Sequence, residues 1–387
     1  MWAEYADAAA GWHRYQALIA RLSGIAQTFA GAIALPNEVD FASVIELGLI
    51  PALHSPALAP RTAIHAGSPE PMPTEVARSP AAASTGYRSS APVFERPVVI
   101  LAAPRSGSSL LFETLAHSPD FYTVGGESHQ QFESIPALRA EAHGYTSGRL
   151  DRRDAAPEIL AALRQRFAQF LRNRNGTPPP PAAGAVRLLE KTPKNALRLP
   201  LLDVLFPDAL YIFLYREPQA NVSSIIEGWE SGRFVMYPDL PGWVGPPWSF
   251  LLVPAWRDLA GQPLAAIAAA QWQRTLAILL DDLEAIPRRH VHALTYDDFL
   301  TDPRGNVARI CAFAGIGWDR KVPDVLPLSD HTVSPPQPDK WRRHEALIAP
   351  YLPELRATDE RARAFLSSRS RRHQPAQLSV SFTLQRS

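Results

Sequence analysis

Four short apolar runs, Val98–Leu101, Val186–Glu190, Ala209–Tyr215 and Val291–Leu294, set the plan of this chain. Val98–Leu101 and Ala209–Tyr215 are continuous rather than alternating, and each of the four gives way to polar residues and then to helix-type spacing. A strand apolar on both faces is buried on both, the condition of a parallel sheet covered by helices. The expected fold is therefore α/β, a central parallel sheet flanked by helices. Its helices should cover 195–205, start again near Gln219, and then cover 264–285 and 303–314. Trp2, Tyr5, Trp12, Tyr15, Leu18 and Leu22 recur at helical spacing within 1–34, and 41–53 adds a second short helix. That aromatic face packs either on its own chain or on a partner. From 55 to 92, Ala, Pro, Ser and Thr dominate without period, as in a flexible linker. The predicted divisions are an extra N-terminal helical segment 1–54, a linker 55–92, the α/β domain 93–366 and a tail 367–387.

The polar residues after each run carry the candidate chemistry. Val98–Leu101 leads through Ala-Pro-Arg-Ser-Gly-Ser-Ser into a helix pattern from Leu110, a P-loop-like layout. Backbone N–H groups around Gly107, the hydroxyls of Ser106, Ser108 and Ser109, and the Arg105 guanidinium would converge there on an anion. A plain strand-to-helix connection rich in small residues reads the same way in isolation. Gly125-Gly126 predicts a tight turn presenting Glu127 and His129 near the carboxyl side of the sheet, where open α/β folds bind ligands. Further cations, Lys191, Arg216 followed by Ser224, and Lys340 with Arg342, are expected at strand ends around the same point. A P-loop kinase would need Gly-Lys-Ser/Thr at the loop's end, whereas Gly107 is followed by Ser108-Ser109.

Two other stretches are distinctive. Trp229, Phe234, Tyr237, Trp243, Trp248, Phe250 and Trp256 lie among Gly and Pro, suggesting either a loop layer lining a pocket or a satellite hydrophobic cluster. Residues 139–174 read as a helical, arginine-rich stretch that could receive an acidic peptide.

Composition narrows the classes. The 387 residues hold 39 basic and 38 acidic side chains, so no global drive toward nucleic acid or an anionic membrane is indicated. One cysteine, Cys311, excludes an internal disulfide framework and a cysteine-based zinc cluster, and suits a reducing compartment. It falls on the face of a helix with Val307, Ile310 and Phe313, as a structural thiol would. No HExxH or ligand-spaced histidine pair occurs among the 11 histidines, so no metal is expected. No apolar run nears the roughly 20 residues of a membrane span. The start of the chain lacks the order of a secretory signal, so a cytoplasmic protein is expected.

Taken together, these motifs resemble the PAPS-dependent sulfotransferases (PAPS, 3′-phosphoadenosine 5′-phosphosulfate), in the bacterial branch similar to protein-tyrosine sulfotransferases. PRSGSSLL resembles the family's loop for the 5′-phosphosulfate, and YREPQANVSSII its Arg216 and Ser224 pair for the 3′-phosphate. LTYDDFLTDP resembles the segment that sets a tyrosine, here Tyr296, beside adenine. SPPQPDKWRRHE resembles the late segment that closes over the nucleotide, bringing Lys340, Trp341 and either Ser334 or Thr332. The similarity runs from Pro97 to about Leu355. It implies transfer of a sulfuryl group from PAPS to an acceptor hydroxyl, leaving PAP. Arg105 and Lys191 would stabilise the bridging oxygen, and Glu127, or His129 in its place, would act as general base. Expected acceptors are an apolar or aromatic small molecule, a lipid or a carrier-bound metabolite, as in secondary metabolism, with a tyrosine peptide as the alternative. A non-catalytic PAP-binding protein is the remaining reading.

Overall fold

The computed structural model describes residues 92–370 apart from 182 and 338. The helices expected within 1–53, most of the linker and the tail beyond 370 lie outside the described residues. The strands are β1 (Val93–Phe94), β2 (Val98–Leu101), β3 (Phe121–Thr123), β4 (Arg172–Asn173), β5 (Ala185–Lys191), β6 (Leu210–Tyr215), β7 (Val235–Tyr237), β8 (Trp248–Ser249) and β9 (Val291–Thr295). The α-helices are α1 (Ser108–Leu115), α2 (His129–Glu133), α3 (Pro157–Phe170), α4 (Leu199–Leu205), α5 (Pro218–Glu230), α6 (Leu264–Ala285), α7 (Tyr296–Thr301), α8 (Pro303–Ala314), α9 (Glu345–Ile348) and α10 (Leu352–Ser370).

Seven strands form one sheet in the order β4-β3-β5-β2-β6-β9, with β1 also paired to β5, and β7 and β8 form a separate hairpin. Within the large sheet every pairing is parallel except β3 with β4. The continuous apolar runs are explained by two cores. Along β6, Tyr211, Phe213 and Tyr215 face one core, and Leu210, Ile212 and Leu214 the other. Val99 and Leu101 of β2 join the first, Val98 and Ile100 the second. Alternation is present, but both sides are apolar, as in a doubly covered parallel sheet. The first core is closed by α5, α6 and α10, the second by α1, α7 and α8.

Several expectations need correction. The short strand β3 and the edge strand β4 had no apolar run to announce them, and β4 is antiparallel to β3. The helix expected over 195–205 is a 3₁₀ turn, Pro193–Leu197, followed by α4. Within 139–174 only α3 is α-helical; two 3₁₀ turns precede it, Ala140–His143, closed by left-handed Gly144, and Arg152–Asp154. Arg149 and Arg174 are held in ion pairs within the chain, whereas the paired Arg152 and Arg153 remain largely exposed. Arg149 binds Asp282 with both terminal nitrogens, Arg152 binds Asp203, and Arg174 binds Asp319. The aromatic segment divides: Trp229, Trp248, Trp256 and Phe250 are buried in the first cluster, with Trp229 donating to the buried Oε1 of Gln271 on α6 at 2.8 Å, whereas Phe234, Tyr237 and Trp243 are only partly buried. Cys311 sits half-buried on α8, where burial pushes its thiol up to about 11, as suits a structural thiol. Among the described residues no helix is long and apolar enough to cross a membrane.

Candidate active site

The carboxyl ends of four neighbouring strands, in the order β5-β2-β6-β9, deliver Lys191, the Arg105 to Ser109 loop, Arg216 and Tyr296 to one edge of the sheet. Convergence follows from parallel pairing, since neighbouring parallel strands end on the same side. The loop after β2 turns sharply, with Arg105 at φ 64° and Gly107 at φ 89°. A Cβ on Gly107 would stand 2.2 Å from the Tyr296 ring, so glycine is required by both backbone and neighbour. Gly107 caps α1 without any side-chain bond, which leaves the first-turn amides of Ser108 and Ser109 facing the loop. Ser106 is fixed beneath it, donating to Asn221 Oδ1 at 2.8 Å, while Asn221 Nδ2 donates to the Pro104 carbonyl at 2.7 Å.

Arg105 lies over the Phe234 ring at 4.6 Å and donates to the His331 carbonyl at 2.9 Å. Arg216 stacks over Tyr296 at 4.8 Å and donates to the Arg105 carbonyl at 3.0 Å. The Nε of each lacks a hydrogen-bond partner, and neither guanidinium is in an ion pair among the described residues. Burial, then the charges of Arg216 and Arg233, hold the Arg105 guanidinium down at about 10. Guanidiniums without an ion-pair partner, beside free helix amides and an aromatic face, fit a phosphate-bearing ligand.

On the β5 side, Lys191 Nζ donates to Ser109 Oγ at 2.9 Å and to Glu127 Oε1 at 2.5 Å. The other oxygen of Glu127 meets His129 Nε2 at 2.8 Å, and His129 Nδ1 lies 4.0 Å from Glu133. Burial opposes ionisation of Glu127, but the bonds and charges of His129 and Lys191 outweigh it and hold the carboxyl down at about 2. The expected turn at Gly125-Gly126 is present, with Gly125 at φ 85°.

Sequence reasoning missed Glu190 beneath this pair. Its Oε1 accepts from Ser128 Oγ at 2.5 Å, Thr192 Oγ1 at 2.7 Å and Asn195 Nδ2 at 2.9 Å, tying the Glu127 turn to the end of β5. Oε2 has no partner, and burial, against the Ser128 and Thr192 bonds, pushes the carboxyl up to about 7. The folded state then binds a proton more tightly than the unfolded chain. This group's contribution is full below about pH 4.5 and is lost as pH rises through about 7. Wild type is expected to lose stability relative to Glu190→Gln between those values, by on the order of 1 kcal/mol per pH unit. Urea midpoints of the two proteins at pH 5 and 8 check it, and parallel pH profiles would refute it.

The late segment lies differently from expectation. Lys340 and Arg342 are on a 3₁₀ turn, Lys340–His344, rather than at a strand end. Ser334 Oγ donates to Glu227 Oε1 at 2.7 Å, and Lys340 Nζ reaches Glu227 Oε2 at 2.8 Å; Arg343 also contacts this buried carboxylate. Glu227, one turn beyond Ser224 on α5, thus organises the segment and was not foreseen. Arg342 is exposed, pairs with Asp339 and Glu345, and stacks on Trp341 at 5.1 Å, which removes it from the converging cations. Burial, then Arg216 and Arg105, lower the Lys340 ammonium, so Lys340 still shares their field. Ser224 is buried on α5, two turns beyond Arg216. Thr332 presents its carbonyl to Arg233 at 3.2 Å.

The pattern that defines the sulfotransferase family matches residues 97–320, more than half of the chain. The chain belongs to the sulfotransferase family. The chain is 29% identical over 236 residues to nodulation protein NoeE of Sinorhizobium fredii, covering 57% of this chain and 49% of that protein. It is 22% identical over 245 residues to protein-tyrosine sulfotransferase A of Caenorhabditis elegans, covering 61% and 53%. The chain spans about half the length of these curated relatives. A solved sulfotransferase from Alicyclobacillus acidocaldarius aligns at 18% identity and a TM-score of 0.40 over 69% of this chain and 96% of that one.

Proposed function

We propose that this chain transfers the sulfuryl group of PAPS to a hydroxyl of a small acceptor. The observation that carries the reading is one line of contacts, from the loop at Ser109 through Lys191 to Glu127. It joins an anion cradle to a carboxylate within a single lysine's reach. In the proposal Arg105, Lys191 and the amides of Gly107 to Ser109 hold the 5′-phosphosulfate, Arg216, Ser224 and Lys340 the 3′-phosphate, and Tyr296 the adenine, with Ser334 and Trp341 closing over them. The sulfur to phosphate-oxygen bond breaks as the acceptor oxygen bonds to sulfur; the hydroxyl proton passes to the base, and PAP departs with the bond's electron pair. Glu127 is assigned as base because it is in direct contact with Lys191, whereas His129 stands one contact further back. When Lys191 turns toward the bridging oxygen, Glu127 loses a cation and its basicity rises.

The acceptor reading moves away from a purely apolar compound, because Trp229, Trp248, Trp256 and Phe250 are core and Tyr237 shares its cavity with Glu133, Arg139 and Arg198. A small molecule is favoured over a tyrosine peptide because Arg149 and Arg174, two of the arginines within 139–174, are already paired with Asp282 and Asp319.

Incubation with 35S-labelled PAPS and a panel of phenols, alcohols, hydroxy acids and tyrosine peptides tests the proposal, with PAP binding measured in parallel. Transfer and PAP affinity are expected. Arg105→Ala should weaken PAP about 10- to 100-fold, the value of charged hydrogen bonds. Absence of both PAP affinity and transfer would overturn the reading, and PAP binding without transfer to any acceptor would leave a binding protein.

A further inference from the structure

A cavity of about 310 Å³ lies at the far end of α2, the helix that begins at His129, and is lined by Glu133, Arg139, Tyr145, Gly148, Arg198 and Tyr237 among others. Arg198 is the anomaly in its wall. The side chain is wholly enclosed and rests on the Phe132 ring at 4.7 Å, yet its Nε and Nη1 have no hydrogen-bond partner. Its nearest carboxylate, Glu133, is 3.8 Å from Nη2 and is already held at 2.5 Å by the buried Lys194. Two buried cations therefore rely on one carboxylate. A guanidinium enclosed without acceptors is strongly disfavoured unless something else supplies them. Burial pushes the Tyr237 phenol up to about 12, so it remains a neutral donor near Arg198. Leu138, Leu150 and Met236 provide apolar wall.

We infer that this cavity takes the acceptor, and that the acceptor is a compact hydroxy acid whose carboxylate is bound by Arg198. The inference rests on the sulfuryl-transfer reading for the direction in which the hydroxyl points. Glu133 connects the cavity to the base, lying 4.0 Å from His129 Nδ1, while the opposite ring nitrogen meets Glu127 at 2.8 Å. Lys194 and Arg198 lie about one and two helical turns beyond Lys191 in sequence, on the 3₁₀ turn that follows β5 and at its end, so the cation for the acceptor and the cation for the bridging oxygen come from one stretch of backbone. The volume is at the lower end for small-molecule pockets, which suits a small acid rather than a polymer.

The test compares ω-hydroxy and hydroxyphenyl alkanoic acids of graded length with their methyl esters, by calorimetric titration of wild type, Arg198→Gln and Arg198→Lys. At least one acid should bind about tenfold or more tightly than its ester, a charge-assisted contact. Arg198→Gln should reduce that acid to the affinity of its ester, and Arg198→Lys should retain part of the preference. Equal binding of acids and esters, failure of every acid to bind at millimolar concentration, or an undiminished preference in the Gln variant would overturn the inference. If the Gln variant does not fold, the wild-type comparison decides alone. PAP affinity is measured on the same samples. Acid preference without PAP binding refutes only the donor reading; PAP binding and turnover of neutral alcohols without acid preference refutes only the Arg198 assignment.

Discussion

Glu127→Gln is expected to lower kcat by about 10²- to 10⁴-fold, the usual worth of a positioned general base, while PAP affinity stays at or above the wild-type value. The expectation follows from where the carboxylate stands. It touches Lys191 and His129 but none of Arg105, Arg216 or the loop amides, so its removal leaves the anion cradle intact and deletes one negative charge from its rim. The amide keeps the side chain's volume and can still accept from Lys191, so loss of packing contributes little. Single-turnover transfer from labelled PAPS, with PAP titration alongside, reads both quantities. His129→Gln provides the contrast: its contact with Glu127 predicts a smaller loss. A full loss in His129→Gln with turnover retained in Glu127→Gln would move the base to the imidazole.

How far the sequence exposes this arrangement depends on whether a residue's role is local to the chain. β2 and β6 are legible because both faces are apolar, β5 and β9 because a short, mainly apolar stretch runs into polar residues, and α8 because Pro303 opens it and left-handed Gly315 closes it. β3 and β4 are three and two residues long and draw their stability from the edge of a sheet already formed, so no pattern marks them. The loop, Lys191, Arg216 and Tyr296 are legible as polar residues directly after apolar runs. Glu190 is the counterexample: one residue before Lys191, it reads as a solvated strand end, and only the return of the chain at Ser128 buries it. Asn221, Glu227 and Arg198 are hidden for the same reason, since each acts on a segment far away in sequence. The tryptophans mislead because aromatics among Gly and Pro look alike whether they face a ligand or, as here, the core.

Lys191→Met should cost about 10²- to 10³-fold in kcat, comparable to removing a donor that stabilises charge developing in a transition state. PAP affinity should fall far less, because Arg105, Arg216 and Lys340 remain. Methionine matches the buried stem of the lysine, which is 3% exposed, so the fold should persist and the loss report the ammonium. Lys191→Arg should rescue little despite keeping the charge, since the contacts at 2.5 and 2.9 Å enclose a point charge and leave no room for a planar fork. The decisive measurement is the double variant. If Lys191 both neutralises the leaving oxygen and restrains Glu127 until PAPS is bound, the two residues act as a unit. Lys191→Met combined with Glu127→Gln should then lose scarcely more kcat than the worse single variant. Losses that multiply would mean that the two groups act independently, and that their contact is an ion pair with no part in timing the proton transfer.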